Sequence, residues 1–392
     1  MQKRLLKGML TALLSALCCV WTGSAHAVET QLVSLPRPDL NAFLLGSQEN
    51  ALSANGRFVA YVGYNPGVNG SFQVLLRDMQ SGTTQLVSAN SSGQAGDRAS
   101  YAAAISADGN FVSFTSDSQD LISGTSSNTT HVYVRDLRKA TTEMVSIGVD
   151  GNPVYSAPAH SDTSISGDGR FVTFEAFTEV PGDPSSTGPL TFQDEVYVRD
   201  RQSGTTRLVS VSNSGARGNH DSHLAHISSD GRFVVFDSGA SNLVAGDANG
   251  ANDIFVRDLQ KGTTQLVSVS TFGTQSNSSL RSSFLDDADI AISADGNFVA
   301  FVSDADNLAP DVPTGGGLYV RDLQKGITQF VAQGGHPSLS TDGHFLTFRS
   351  THALAPGGSP NGQADIYRRD LQDGTTRLVS VGLSGTQSDG DS

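Results

Sequence analysis

Three histidines, His220, His223 and His226, stand at intervals of three residues. On a helix this spacing would hold three imidazoles on one face, as a transition metal or an acid–base pair requires. Here the run leads from a loop into a strand-like segment, where a spacing of three alternates between faces and convergence is not given by spacing alone. His223 and His226 are therefore candidate ligand- or partner-binding residues, together with His336, which precedes a similar segment. His160 occupies a comparable place. A second constellation is Asp247-Ala-Asn249-Gly250-Ala-Asn-Asp253. Calcium takes several oxygen ligands, and Asp/Asn alternation around a glycine lets a short loop wrap one ion. Asp247, Asn249 and Asp253 are the candidate metal ligands, and calcium is the one cofactor the sequence suggests. The structural alternative is an Asx turn leading into a strand. A third is the acidic triplet Asp286, Asp287 and Asp289, a candidate for binding a cationic ligand or partner. No nucleophile elbow, zinc-protease helix motif or phosphate-binding glycine loop is present, so no catalytic residue is assigned.

Charge and cysteine usage narrow the partners. The 392 residues carry a formal net charge of −14. So acidic a surface disfavours nucleic acid and anionic membranes. Residues 1–27 read as a secretory signal: Lys3, Arg4 and Lys7, an apolar run from Met9 to Trp21, and Ala25-His26-Ala27 as a cleavage site. Both cysteines, Cys18 and Cys19, lie in that run. The mature chain from Val28 is thus expected to be exported, periplasmic or secreted, without disulfides or thiolate metal sites and without a transmembrane segment.

The elements that must position these residues follow from a repeat. Ser-x-(Asp/Asn)-Gly-x-Phe-(Val/Leu)-x-(Phe/Tyr) begins at Ser53, Ser106, Ser166, Ser228, Ser293 and Ser340. After each copy comes an apolar run ending in Arg-Asp, at Arg77, Arg135, Arg199, Arg257, Arg321 and Arg369. The motif glycines lie 47 to 65 residues apart, the spacing of a repeat architecture. Each unit reads as four strands. In the fourth they are His226–Ser228, Phe233–Phe236, Asp253–Arg257 and Thr264–Val269, with tight turns at Asp230-Gly231 and at Gly262. The second unit has Ala140 where the others have that second glycine, and a φ above zero there would strain it by roughly 1 kcal/mol. Phe233-Val234-Val235-Phe236 is apolar on both faces, so the strand lies between layers. Six four-stranded antiparallel sheets, each sandwiched by neighbours, make an all-β, six-bladed β-propeller.

The segments Ile-Ser-Ala-Asp-Gly-Asn-Phe-Val-Ala-Phe (292–301) and Asp-Ile-Phe-Val-Arg-Asp (253–258) resemble the TolB-like propeller repeat, a relative of WD-repeat propellers. The resemblance covers about residues 50–381. It implies the same blade, but no particular function, since propellers serve as scaffolds, receptors, lyases and hydrolases. Residues 28–392 are expected to form a single propeller domain. Thr30–Leu35 copies the fourth strand of the other units, a surplus strand near residues 30–35 that adds to an edge or displaces the C-terminal copy.

Six evenly spaced copies of one Asp or Arg point to turn-capping, so recognition falls to what differs between units. The long, variable loops collect on one face, with Asp117, Asp120, Glu175, Glu179, Asp194, Asp221, Asp237, Asp304, Asp306 and Asp311 besides the acids above. The opposite, short-turn face holds Arg170, Arg232, Lys261 and Lys325. The expected function is a non-enzymatic, monomeric scaffold that binds a protein partner or an envelope ligand through its acidic loop face. The alternatives are a channel-mouth polysaccharide lyase or glycoside hydrolase, and a calcium-stabilised surface or adhesion protein.

Overall fold

The computed structural model describes residues 50–65, 71–123, 129–155, 163–180, 191–278, 290–358 and 363–381. Blade 1 is β1 (Asn50–Leu52), β2 (Phe58–Asn65), β3 (Ser71–Asp78) and β4 (Thr83–Leu86). Blade 2 is β5 (Ser100–Ile105), β6 (Phe111–Ser116), β7 (His131–Asp136) and β8 (Thr141–Met144). Blade 3 is β9 (Ser164–Ile165), β10 (Phe171–Val180), β11 (Thr191–Asp200) and β12 (Thr205–Leu208). Blade 4 is β13 (Ser222–Ile227), β14 (Phe233–Ser238), β15 (Asp253–Asp258) and β16 (Thr263–Leu266). Blade 5 is β17 (Ile290–Ile292), β18 (Phe298–Ser303), β19 (Gly317–Asp322) and β20 (Ile327–Ala332). Blade 6 is β21 (Gly335–Leu339), β22 (Phe345–Ser350), β23 (Asp365–Asp370) and β24 (Thr376–Leu378). Each sheet is four consecutive strands, antiparallel throughout: the protein is a six-bladed β-propeller.

The repeated motif builds the first turn of every blade. The motif serine accepts from the amide of the phenylalanine five residues on, at 2.9–3.0 Å in all six blades. The Asp or Asn two residues after it accepts from that serine's hydroxyl, as Asp108 does from Ser106 at 2.7 Å. The Arg-Asp aspartate caps the second turn, as Asp258 does by accepting from the amides of Gln260 and Lys261. Charges on this face are largely answered within it: Arg57, Arg170 and Arg232 pair with Asp78, Asp200 and Asp258, all at 2.7 Å. These contacts account for the repeated residues without any ligand. At the second turn Ala140 has φ 53°, beside 67° at Gly262, so blade 2 carries the strain expected from its sequence.

Neighbouring blades are joined in two ways. Five apolar clusters each span two consecutive blades, as where Val196, Val198 and Val209 meet Ala225, Val234 and Phe236. Full burial of one such side chain stabilises by roughly 1.5–3 kcal/mol. Thr142, Thr206, Thr264 and Thr328 then each donate from Oγ1 to a carbonyl of the preceding blade, at Ala89, Ile147, Val211 and Val269, over 2.5–2.6 Å.

Two details depart from the sequence reading. The innermost strand of blade 4 begins at Ser222, well before His226, because a bulge between His223 and His226 lets the strand continue. Its fourth strand ends at Leu266, and Val269 forms a separate bridge to Gln275. Residues 1–27 read as a leader, the surplus strand expected at 30–35, His160, and Asp286, Asp287 and Asp289 lie outside the described residues.

Candidate functional site at the seam of blades 3 and 4

The bulge in β13 defines the site. It puts Leu224 at φ 54°, a conformation that costs an L-residue roughly 1–2 kcal/mol. Ala102 and His336, at the matching positions of blades 2 and 6, have φ 48° and 53°, so the bulge itself belongs to the architecture. What is particular to blade 4 is the acid that meets it. The Leu224 amide donates to Glu175 Oε1 of blade 3 at 2.6 Å, and Glu175 Oε2 lies 3.5 Å from His223 Nδ1. The position of Glu175, nine residues after the motif serine, is Val62, Thr115, Asp237, Val302 and Arg349 in the other blades. Two neighbouring blades thus contribute a carboxylate at the same level.

Asp237 pairs with His223 across β13 and β14 and is 4% exposed. Its Oδ2 accepts from Asn252 Nδ2 at 3.3 Å, while its Oδ1 has no hydrogen-bond partner among the described residues. Asp194, at the far end of β11, also has a buried Oδ1 without such a partner, and its amide donates to Asp221 Oδ1 at 3.1 Å. Glu175, Asp194 and Asp237 therefore act on a single imidazole, with Asp221 held against the Asp194 backbone.

The electrostatics follow from burial and crowding. Burial pushes the Asp237 carboxyl up to about 7, against the opposing pull of His223 and Asn252. Burial and the neighbouring acids Asp221 and Glu175 raise Asp194 as well, His223 opposing. Burial alone would lower His223, but the Glu175 hydrogen bond and the charges of Glu175, Asp194 and Asp237 outweigh it and raise the imidazole to about 9. His223 is then an imidazolium at neutral pH, with the carboxylates in excess.

The other sequence candidates are dispersed. His220 is exposed, and its Nδ1 accepts from the Asp221 amide. His226 lies beyond the bulge, where burial holds it down to about 4 and so neutral. His336 is on blade 6, two blades further around the ring. Among the described residues no three His, Cys, Asp or Glu side chains are placed to hold a metal ion. In the suggested calcium loop, Asp253 accepts from Ser268 Oγ and, at 2.7 Å, from Asn249 Nδ2, while Asn249 Oδ1 accepts from the Ala251 amide. Asp253 also occupies a repeat position, four residues before the Arg of Arg-Asp. Gln73, His131 and Asp365 stand there in other blades and engage Ser88, Ser146 and Ser380 in the same way. Several acids of the loop face likewise tie loops together: Asp117 accepts from Thr130, Asp120 from the Asp97 amide, and Asp306 from Asn277.

Three residues escaped the sequence reading. Glu195 is buried on the opposite face of blade 3, where Arg217, Tyr197 and Thr178 engage it. Phe177 and Phe192 form a stacked, exposed pair beside Asp194, at a centroid distance of 5.0 Å. The signal for the pair was the alternation Glu175-Ala-Phe177-Thr-Glu179, which prolongs a strand beyond the length usual in the repeat.

No protein-family model and no curated protein sequence matches the chain. Solved structures do. TolB from Acinetobacter baumannii matches at 17% identity and TM-score 0.45, over 83% of this chain and 64% of that one. The β-propeller domain of the Trilobed protease from Pyrococcus furiosus, described as of open velcro topology, matches at 12% identity and TM-score 0.50, over 88% and 84%. The tricorn protease matches at 12% identity and TM-score 0.50, over 84% of this chain and 30% of its own length. The likeness at these identities is one of fold. This chain spans less than two thirds of the Acinetobacter TolB and of the tricorn protease.

Proposed function

We propose that the protein is an exported binding protein that receives a cationic group of a protein partner at the seam of blades 3 and 4. The observation that carries this reading is two buried carboxylate oxygens, Asp237 Oδ1 and Asp194 Oδ1, left without a hydrogen-bond partner among the described residues on acids that both act on His223. Unsatisfied buried acceptors cost about 1–3 kcal/mol each, a cost that a ligand bringing donors would recover. Excess carboxylate at this seam also attracts a cation before contact and makes the encounter salt-dependent. Export is supported by the basic, apolar and small-residue pattern of residues 1–27.

The test compares two pairs of substitutions in binding to envelope proteins across a range of salt. D194N with D221N should weaken binding and flatten its salt dependence. K261Q with K325Q, on the short-turn face, should change neither. Equal loss from both pairs would remove the site from this seam.

One observation favours a second reading. A carboxyl raised to about 7 beside an imidazolium is the arrangement used for proton transfer near neutrality. Turnover of a glycan or peptide substrate that is abolished by D237N in the folded protein would establish it.

A further inference from the structure

The acidic corner continues outward into an aromatic surface. β10 and β11 are ten residues each, against six for the paired strands β14 and β15 of the next blade, so this hairpin reaches further. In its register Phe177 lies opposite Asp194, and Phe192 is two residues from Asp194 on the same strand. Glu175, Phe177, Asp194 and Phe192 therefore share one sheet face. Because Glu175 on that face reaches His223, the face fronts blade 4. The two rings are nearly parallel, 11° apart, yet 48% and 51% exposed. An aromatic pair ordered in this way but left half in water makes no contribution to any of the five inter-blade clusters.

We infer that Phe177 and Phe192, with Asp194 beside them, form a recognition pocket for an arginine side chain of the partner, an assignment that rests on the cationic-partner reading above. A guanidinium is planar, stacks on aromatic faces and presents donors in a fork that suits carboxylates. Beside the rings this face offers the carboxylates of Glu175 and Asp194, and the buried Oδ1 of Asp194, opposite Phe177, has no hydrogen-bond partner among the described residues. Arginine brings five N–H donors and no acceptor, which matches that inventory. A sugar ring would stack on the phenylalanines too, but it would bring neutral hydroxyls to a site with excess negative charge. An anionic ligand would be repelled. Lysine would supply charge, but it is a strongly hydrated point charge without a plane to stack.

The test uses a blocked Gly-Arg-Gly-Arg-Gly peptide with its lysine and citrulline counterparts, titrated calorimetrically into the full mature chain. The arginine peptide should bind saturably, the lysine peptide more weakly, and the uncharged, isosteric citrulline peptide weakest. F177A/F192A should lower affinity for the arginine peptide about tenfold, with the melting temperature lowered only a little because half of each ring lies in water and neither belongs to an inter-blade cluster. Unchanged affinity in F177A/F192A would overturn the aromatic pocket while leaving the acidic corner intact. Equal binding of the citrulline peptide, or none of the arginine peptide, would overturn the pocket and the cationic-partner reading together. Equal binding of the lysine peptide would overturn the arginine assignment alone.

Discussion

Glu175 Oε2 and His223 Nδ1 lie 3.5 Å apart across the seam of blades 3 and 4, brought there by a strand bulge and not by sequence proximity. The same glutamate holds the bulge, through the Leu224 amide. One side chain thus fixes the backbone of the neighbouring blade and sets the charge of its histidine.

E175Q should show this directly. His223 is raised to about 9 in the folded protein, above its unfolded value near 6.5. Its contribution to stability is fully present below about pH 6.5 and is lost as pH rises through 9. In E175Q the largest upward influence is gone, leaving burial opposed only by Asp194 and Asp237, and the titration should move down from its wild-type position. NMR titration of the His223 ring protons reads both states. An unshifted midpoint in the variant would show that Glu175 does not set the charge.

Asp237 makes the opposite trade. Its folded value near 7 lies above the unfolded value near 3.9. A raised carboxyl supports the fold fully below about pH 4 and loses that support as pH rises through 7. D237N removes the penalty, so the variant should match wild type in acid and melt higher above pH 7, while binding the arginine peptide less well. Stability gained with binding lost is the signature of a functional buried acid. A lower melting temperature at pH 8 would contradict the burial argument.

These residues also mark what the sequence could reveal. The turns were legible because each depends on residues within five positions, such as Ser228, Asp230 and Phe233. Ala140 was legible for the same reason, since its φ is imposed by a turn repeated in six units. The proximity of Glu175 and His223 was not legible. It depends on a bulge that shifts the register between His223 and His226, and on a blade seam that brings together residues 48 apart in the chain. The Phe177–Phe192 stack required the length of the β10–β11 hairpin, which alternation alone leaves open. Asp253 looked like a calcium ligand when read along its own loop. Aligned with Gln73, His131 and Asp365, it becomes the local form of a strand-to-strand hydrogen bond.

Asp253 therefore yields a prediction about calcium. Both of its carboxylate oxygens already accept hydrogen bonds, from Ser268 and Asn249, and burial raises it to about 6. The position tolerates an amide in blade 1, where Gln73 accepts from Ser88. Melting curves with calcium and with chelator should coincide, and D253N should melt no lower than wild type at pH 8, where the wild-type carboxylate is ionised and burial of that charge costs stability. A calcium-dependent rise in melting temperature that D253N abolishes would restore the loop as a metal site.

The inter-blade threonines offer the sharpest test of how the ring is held. Thr264 is 2% exposed and donates to Val211 O at 2.6 Å, while Arg257 Nη1 reaches Thr264 Oγ1 at 2.9 Å. T264V keeps the shape and the β-branching of the side chain but removes a donor to one group and an acceptor for another. Val211 O keeps only a long contact from Arg257, at 3.4 Å. The loss should be about 1–3 kcal/mol, the cost of leaving buried polar groups unsatisfied. T84V tests the same residue type in blade 1. Within its own blade Thr84 accepts from Arg77 Nη1 at 3.2 Å and engages the Tyr61 hydroxyl, and among the described residues it makes no hydrogen bond to a carbonyl of another blade. If the inter-blade bond carries the effect, T264V should destabilise clearly more than T84V in chemical denaturation. Equal losses would assign the threonine's role to the blade's own Arg–Thr contact, and the blades would then be held by their apolar clusters alone.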